Sequence, residues 1–237
     1  MTPLLEFQEV RLSPDRRASA AWEPGINIPT DATVSFAVGP HETVAILGDQ
    51  KSGMVLLAAL AIGLDRAPAG RVVTMGTVIA DLPRSAQLAF RRKVGYLPEG
   101  DGLLQNLSLR DNVRLPLRFG SDFRPREIEG RVDVILAQLR IARVANLRPA
   151  EVSDEDSRRA ALARALAFDP ELVILEEPFD GLTDRTAAEL LEVARGGETE
   201  QGGRRGVFIT GPNLPSLLRP RVDRILRLVA GRLEVAA

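Results

Sequence analysis

The stretch "HETVAILGDQKSGMVLLAALAIGL", residues 41–64, constrains the fold more than any other. Its run "TVAILG" is almost continuously apolar, which suits a strand buried on both faces of a parallel sheet. A loop bounded by Gly48 and Gly53 follows, and then a strongly apolar helical segment. Strand, glycine-bounded loop and helix in that order form the layout of a phosphate-binding loop, G-x-x-x-x-G-K-[ST]. Gly48, Asp49, Gln50, Lys51, Ser52, Gly53, Met54 and Val55 occupy its positions in turn. Both glycines fit, but Met54 stands where the lysine belongs and Val55 where the hydroxyl belongs.

The rest of the chain repeats the alternation of strand and helix. "LLEFQEVRL" and "TVSFAV" read as strands, separated by a long loop over residues 13–32. "RVVTMGTVI" suggests one or two short strands, and "RSAQLAFRRKVGYL" a helix running into a strand. "RPREIEGRVDVILAQLRI", "SDEDSRRAALARALAFDP" and "RTAAELLEVARG" read as helices. "ELVILEEP", "GVFITG" and "ILRLVAGRLEV" supply further strands, and "RGGETEQGGRRG" a short flexible connection. Strands alternating with helices predict an α/β fold with a mostly parallel sheet covered on both faces. No internal repeat is found, and 237 residues can make one large domain or two small ones.

The formal net charge of −1 gives no general attraction to nucleic acid or anionic lipid. Arg91, Arg92 and Lys93 read as a solvated face, and His41, in a turn, is expected to face solvent. The absence of cysteine excludes disulfides and thiolate metal sites. No apolar run reaches the roughly 18 residues that span a bilayer. The start "MTPLLEFQEV" lacks the basic and apolar regions of a signal peptide. A cytoplasmic protein is expected, with any membrane association made through a partner.

Several landmarks then recur in one order. After the glycine loop come "VGYLPEGDGLLQNLSLRDNVRLPL", "EVSDEDSRRAALARALAFDPELVILEEPFDGLTD" and "GVFITGPN". This series resembles the nucleotide-binding subunits of ABC transporters over nearly the whole chain, and "NLSLRDNVRLPL" is nearest to those of lipid- and lipoprotein-directed transporters and of some importers. The resemblance implies a single domain over 1–237, with a P-loop NTPase-like sheet, an antiparallel β part and a helical subdomain inserted at about 98–160. It also implies ATP and Mg²⁺ as cofactors, a polytopic membrane subunit as partner, and a second ABC subunit, identical or not, as dimer mate.

Carried over residue by residue, the resemblance finds the chemistry altered. The family's lysine reaches the β/γ-phosphates and its hydroxyl binds Mg²⁺; Met54 and Val55 do neither. Lys51, inside the loop, starts from the wrong place to substitute. The glutamine that touches Mg²⁺ falls on Glu99, a carboxylate that cannot donate as an amide does. The signature L-S-G-G-Q falls on Val152, Ser153, Asp154, Glu155 and Asp156. Acidic residues there suit a helix N-terminus, but unit charges roughly 4 Å apart repel by about 4 kcal/mol at an effective dielectric near 20. Three carboxylates facing a triphosphate are expected to oppose closure over it. Glu176 replaces the metal-associated aspartate, and Glu177 occupies the general-base position. The switch histidine falls on Gly211, and Thr183 replaces the aspartate of "DGLTD". The adenine-stacking aromatic has no clear match; Pro14 falls near its place, and Trp22 is a loose candidate.

These substitutions gather in the site while the apolar strands and helices around it stay regular. The expectation is a pseudo-ATPase that binds partners through the groove-like segment "GLLQNLSLRDNVRLPL". The competing reading is an active transport ATPase with unusual motifs, resting on Glu177, Glu176 and the two glycines. A soluble, non-transport ABC protein is a third reading, disfavoured by the single copy of the domain.

Overall fold

The computed structural model describes residues 2–12, 28–29, 31–49, 52–197 and 205–235. Gln50, Lys51, Pro14 and Trp22 lie outside the described residues, as does most of the connection "RGGETEQGGRRG".

Two sheets organise the molecule. A six-stranded sheet runs in the order β5 (Val94–Leu97), β6 (Leu172–Glu176), β7 (Gly206–Gly211), β3 (Thr43–Leu47), β8 (Arg224–Val229) and β9 (Arg232–Val235). Its first five strands are parallel, and β9 returns antiparallel to β8. A separate antiparallel sheet has the order β2 (Thr33–Val38), β1 (Leu5–Arg11), β4 (Arg71–Thr74). Of "RVVTMGTVI" only β4 is a strand, continued by an isolated bridge between Thr74 and Thr77.

The apolar run of β3 is buried at every position, because the sheet carries a core on each face. Successive side chains point to opposite faces of a strand. Val44 and Ile46 join Leu172, Ile174 and Phe208 in one cluster, with α1 (Val55–Ala61) and the antiparallel sheet. Ala45 and Leu47 join Val173, Leu175 and Ile209 in the other. That second core is closed by α3 (Leu109–Gly120), α4 (Pro125–Gln138), α5 (Asp154–Ala165) and α6 (Asp184–Arg195).

The expected α/β fold, parallel sheet, antiparallel part and helical layer are all present. The segment expected to form the inserted subdomain carries α3, α4 and α5. Buried Asn112 ties it together: its amide accepts from the Leu104 N–H at 2.8 Å and donates to the carbonyls of Leu104, Ser108 and Leu107. α2 (Arg84–Arg91) has no fully buried residue and touches the first core through half-buried Phe90. The reading of Arg91 as solvated is corrected here. Its guanidinium donates to the carbonyls of Ile62 at 2.9 Å and Gly63 at 2.7 Å, satisfying the C-terminus of α1. Arg92, Lys93 and His41 are exposed.

Candidate functional site

Register brings the predicted site residues to one edge of the sheet. Leu47 pairs with Gly211, Glu176 with Thr210 and Leu97 with Leu175, so the segments after β3, β5, β6 and β7 leave the sheet side by side. In open parallel sheets the crevice beyond the strands' carboxyl ends is where ligands bind. Gly48 N–H donates to the Gly211 carbonyl at 3.1 Å, and Glu177 N–H to that of Thr210 at 2.8 Å, fixing three of these segments together.

The glycine loop is turned in on itself. Ser52 donates to the Asp49 carbonyl twice, through its hydroxyl at 2.6 Å and its N–H at 3.1 Å. Ser52 is only 3% exposed and Met54 only 2%. Met54 belongs to the apolar cluster that holds Leu12, Ile28, Leu57 and Leu228. Gly53 has φ +90°, and a Cβ there would meet Ile28 Cδ1 at 2.5 Å, so the apolar side of the chain closes directly on the loop. Gly48 is equally confined: a Cβ would lie 2.6 Å from Ser52 Oγ and 2.9 Å from the Leu228 carbonyl oxygen. Met54 is thus a core residue at the entrance of α1.

The carboxylates sit opposite. Tyr96 donates its hydroxyl to Glu176 in a short hydrogen bond, and the Glu99 N–H donates to the same carboxylate. Burial nonetheless holds the Glu176 carboxyl above its ordinary range, with Glu99 and Glu177 adding repulsion. Burial also raises Glu177, helped by the negative charges of Glu99 and Asp180 and opposed by Arg158. Tyr96 is pushed well above the ordinary phenol range, first by burial and then by the same hydrogen bond. Glu177 adopts φ +44°, an uncommon conformation for a residue with a side chain. Gly211 faces it, and a Cβ would meet nothing closer than the Glu177 Cα at 3.6 Å. A side chain at position 211 would therefore start in ordinary van der Waals contact with Glu177 and the Asn213 carbonyl.

Magnesium does not fit this set. Val55 offers no oxygen, Glu176 is engaged by Tyr96, and among the described residues no group of three His, Cys, Asp or Glu side chains is arranged to hold a metal. Met54 and Val55, at the two positions after Gly53, supply neither an ammonium nor a hydroxyl.

The signature-equivalent helix start differs from expectation in an instructive way. Ser153 caps α5 by accepting from the Asp156 N–H at 3.1 Å. Asp156 is buried and faces Arg143 at 3.4 Å, while Glu155 pairs with Arg159 at 2.9 Å. Arg159, its side chain 8% exposed, also grips Glu189 of α6 at 2.9 Å and the Leu139 carbonyl at 3.3 Å. Of the three acids Asp154 is exposed, the Glu155 side chain is 41% exposed within its pair with Arg159, and Asp156 is buried, so the expected front of three free carboxylates is reduced by the pairing of Glu155 and Asp156. Sequence reading also missed Arg158. It pairs with Asp101 at 2.8 Å and donates to the Glu177 carbonyl at 3.3 Å, linking α5 to the loop after Glu99 and to the end of β6. Thr183 caps α6 by accepting from Thr186 N–H at 3.3 Å.

A glycine loop at the carboxyl end of β3, a carboxylate pair at the end of β6 one strand beyond β7, and a capped helix define a P-loop-type nucleotide-binding fold. The family pattern described as "ABC transporter" matches residues 32–180, and the chain belongs to that family as one of its nucleotide-binding subunits. The lipoprotein-releasing system ATP-binding protein LolD of Chromohalobacter salexigens is 34% identical over 211 residues, 87% of each chain. Among solved structures, the ATP-binding cassette MJ0796, a dimer in a post-hydrolysis state bound to ADP and Pi, superposes with TM-score 0.80. That match covers 98% of both chains at 22% identity and speaks to the fold alone. A structure described as the ATP-binding subunit of an ABC transporter gives TM-score 0.75 at 25% identity, over 98% of this chain and 90% of that one.

Proposed function

We propose that this subunit acts as a pseudo-ATPase: it docks on a polytopic membrane subunit, pairs with a second ABC subunit and supports transport while hydrolysing ATP weakly or not at all. It works from the cytoplasmic face of the membrane, held there by its partner. The observation that carries this reading is Met54, buried in an apolar cluster at the position where a lysine would reach the phosphates. Three others support it. Ser52 turns its N–H and hydroxyl inward to Asp49, Glu176 is engaged by Tyr96, and Gly211 presents no side chain to Glu177. The docking part rests on the segment around Leu104, which Asn112 fastens to α3 and which leaves Leu104 44% exposed. The inserted helical arm of residues 98–160 is taken as the docking side.

A second reading, an ATP-hydrolysing transport subunit with atypical motifs, is favoured by Glu177, which stands at the end of β6 with a carboxyl raised toward a useful base. Phosphate release from Mg-ATP by the purified chain, measured beside Glu177→Gln, separates the two. The pseudo-ATPase reading expects no rate above that variant. A steady rate that Glu177→Gln abolishes overturns it.

A further inference from the structure

We infer that the outer face of α2, with the end of α3 beside it, is a direct contact for an anionic lipid surface. Arg84, Leu88 and Arg92 recur at four-residue spacing along α2, one stripe of its surface, and all three are exposed, Leu88 by 56%. Lys93 extends the stripe and lies over the Phe90 ring at 5.6 Å. Arg92 also reaches α3: a Cβ on Gly120 would sit 3.5 Å from its Nε. The two preceding residues are exposed Arg118 and Phe119, the guanidinium 5.5 Å from a ring that is 75% exposed. None of these four cations makes an ion pair among the described residues.

No acidic residue occurs between positions 82 and 98, so α2 and its flanks carry only positive charge although the whole chain carries −1. Arg84 is felt as far as Arg91, whose guanidinium is held below its ordinary range by burial and then by that like charge. Cations flanking an exposed leucine and phenylalanine match a headgroup layer, where charged tips meet phosphate and apolar side chains enter the acyl boundary. The shape favours a planar partner over a peptide. α2 is convex and buries no residue of its own, whereas a docked helix needs a groove. This contact adds to any made through a membrane subunit and is independent of the nucleotide reading.

Flotation of the full chain with vesicles tests it. Vesicles of equal parts phosphatidylglycerol and phosphatidylcholine are expected to carry the protein at low salt, and phosphatidylcholine vesicles are not. About 0.5 M salt, where the Debye length falls to several ångströms, releases it. Arg84→Glu/Arg92→Glu lowers the partition more than about tenfold, while Arg126→Glu/Arg219→Glu, the same charge change at exposed residues elsewhere, leaves it within about twofold. Phe119→Ser weakens binding without altering its salt slope. Equal loss in both double variants, or no preference for anionic vesicles, overturns the proposal. Binding to soluble polyglutamate but not to vesicles also overturns it, in favour of an acidic protein segment. If a double variant melts differently, the lipid and salt comparison on the unmodified chain decides alone.

Discussion

Replacing Met54 with lysine asks directly whether position 54 belongs to a core or to a ligand site. The methionine is 2% exposed within an apolar cluster. Removing it forfeits about 1.5–3 kcal/mol of burial, of which the aliphatic stem of lysine recovers a part. The ammonium must then stay charged in apolar surroundings or shed its proton. Depressing its pKa by two units corresponds to about 2.7 kcal/mol. A net loss of about 3 kcal/mol follows, and for a chain of this size about 2–4 °C of melting temperature accompanies each kcal/mol. Met54→Lys should therefore melt about 6–12 °C lower at pH 7, while Met54→Leu costs less than about 1.5 kcal/mol. The sign with pH is fixed. A lysine whose folded pKa lies below its unfolded value is penalised fully at neutral pH. The penalty shrinks as pH rises through the depressed folded value and is gone above the unfolded value, near 10.4. Thermal melts at pH 7 and 10, with and without Mg-ATP, read the result. An unchanged melting point, joined by ATP stabilisation of about 2.7 kcal/mol at a hundredfold excess over Kd, would refute the reasoning and show an open phosphate loop.

Other perturbations probe the surroundings. Arg159→Ala removes the guanidinium between Glu155, Glu189 and the Leu139 carbonyl; discounted for the partly exposed carboxylates, the loss by denaturant titration is about 2–3 kcal/mol. Arg159 and the other arginines lower the Glu189 carboxyl, so this contribution is present above the ordinary carboxylate range and fades as pH falls through the lower folded value. Glu176→Gln should raise the melting point at pH 8 and converge with the parent toward pH 4, because a carboxyl raised by burial stabilises the fold only while protonated. Gly48→Ala, whose Cβ would meet Ser52 Oγ and the Leu228 carbonyl, should cost about 1–3 kcal/mol. Gly211→Ala, with nothing closer than 3.6 Å, should stay within about 0.5 kcal/mol.

The strand β2 was legible to the residue in "TVSFAV" and β3 to within one residue in "TVAILG", because burial on fixed faces imposes period two or a continuous apolar run. Position in the parallel register then carried Gly48, Glu99, Glu177 and Gly211 to one edge of the sheet. What sequence could not show was where long side chains go. Arg91 lies in a run of cations, yet it crosses 29 positions of the chain to close α1. Glu155 and Asp156 read as part of a repulsive front, but Arg159 and Arg143 pair with them and offset their charge. Arg158 carried no local signal, since its contacts to Asp101 and Glu177 depend on three elements meeting. α3 contains Pro116 in its interior, which local propensity disfavours. Asn112, buried inside that helix, anchors the preceding loop instead.

Calorimetric titration of Mg-ATP into the unmodified chain tests the central claim most directly. The account predicts no saturable heat up to about 1 mM nucleotide, a binding free energy weaker than about −4 kcal/mol. A single-site isotherm with a Kd of about 1 μM, near −8 kcal/mol, would contradict it.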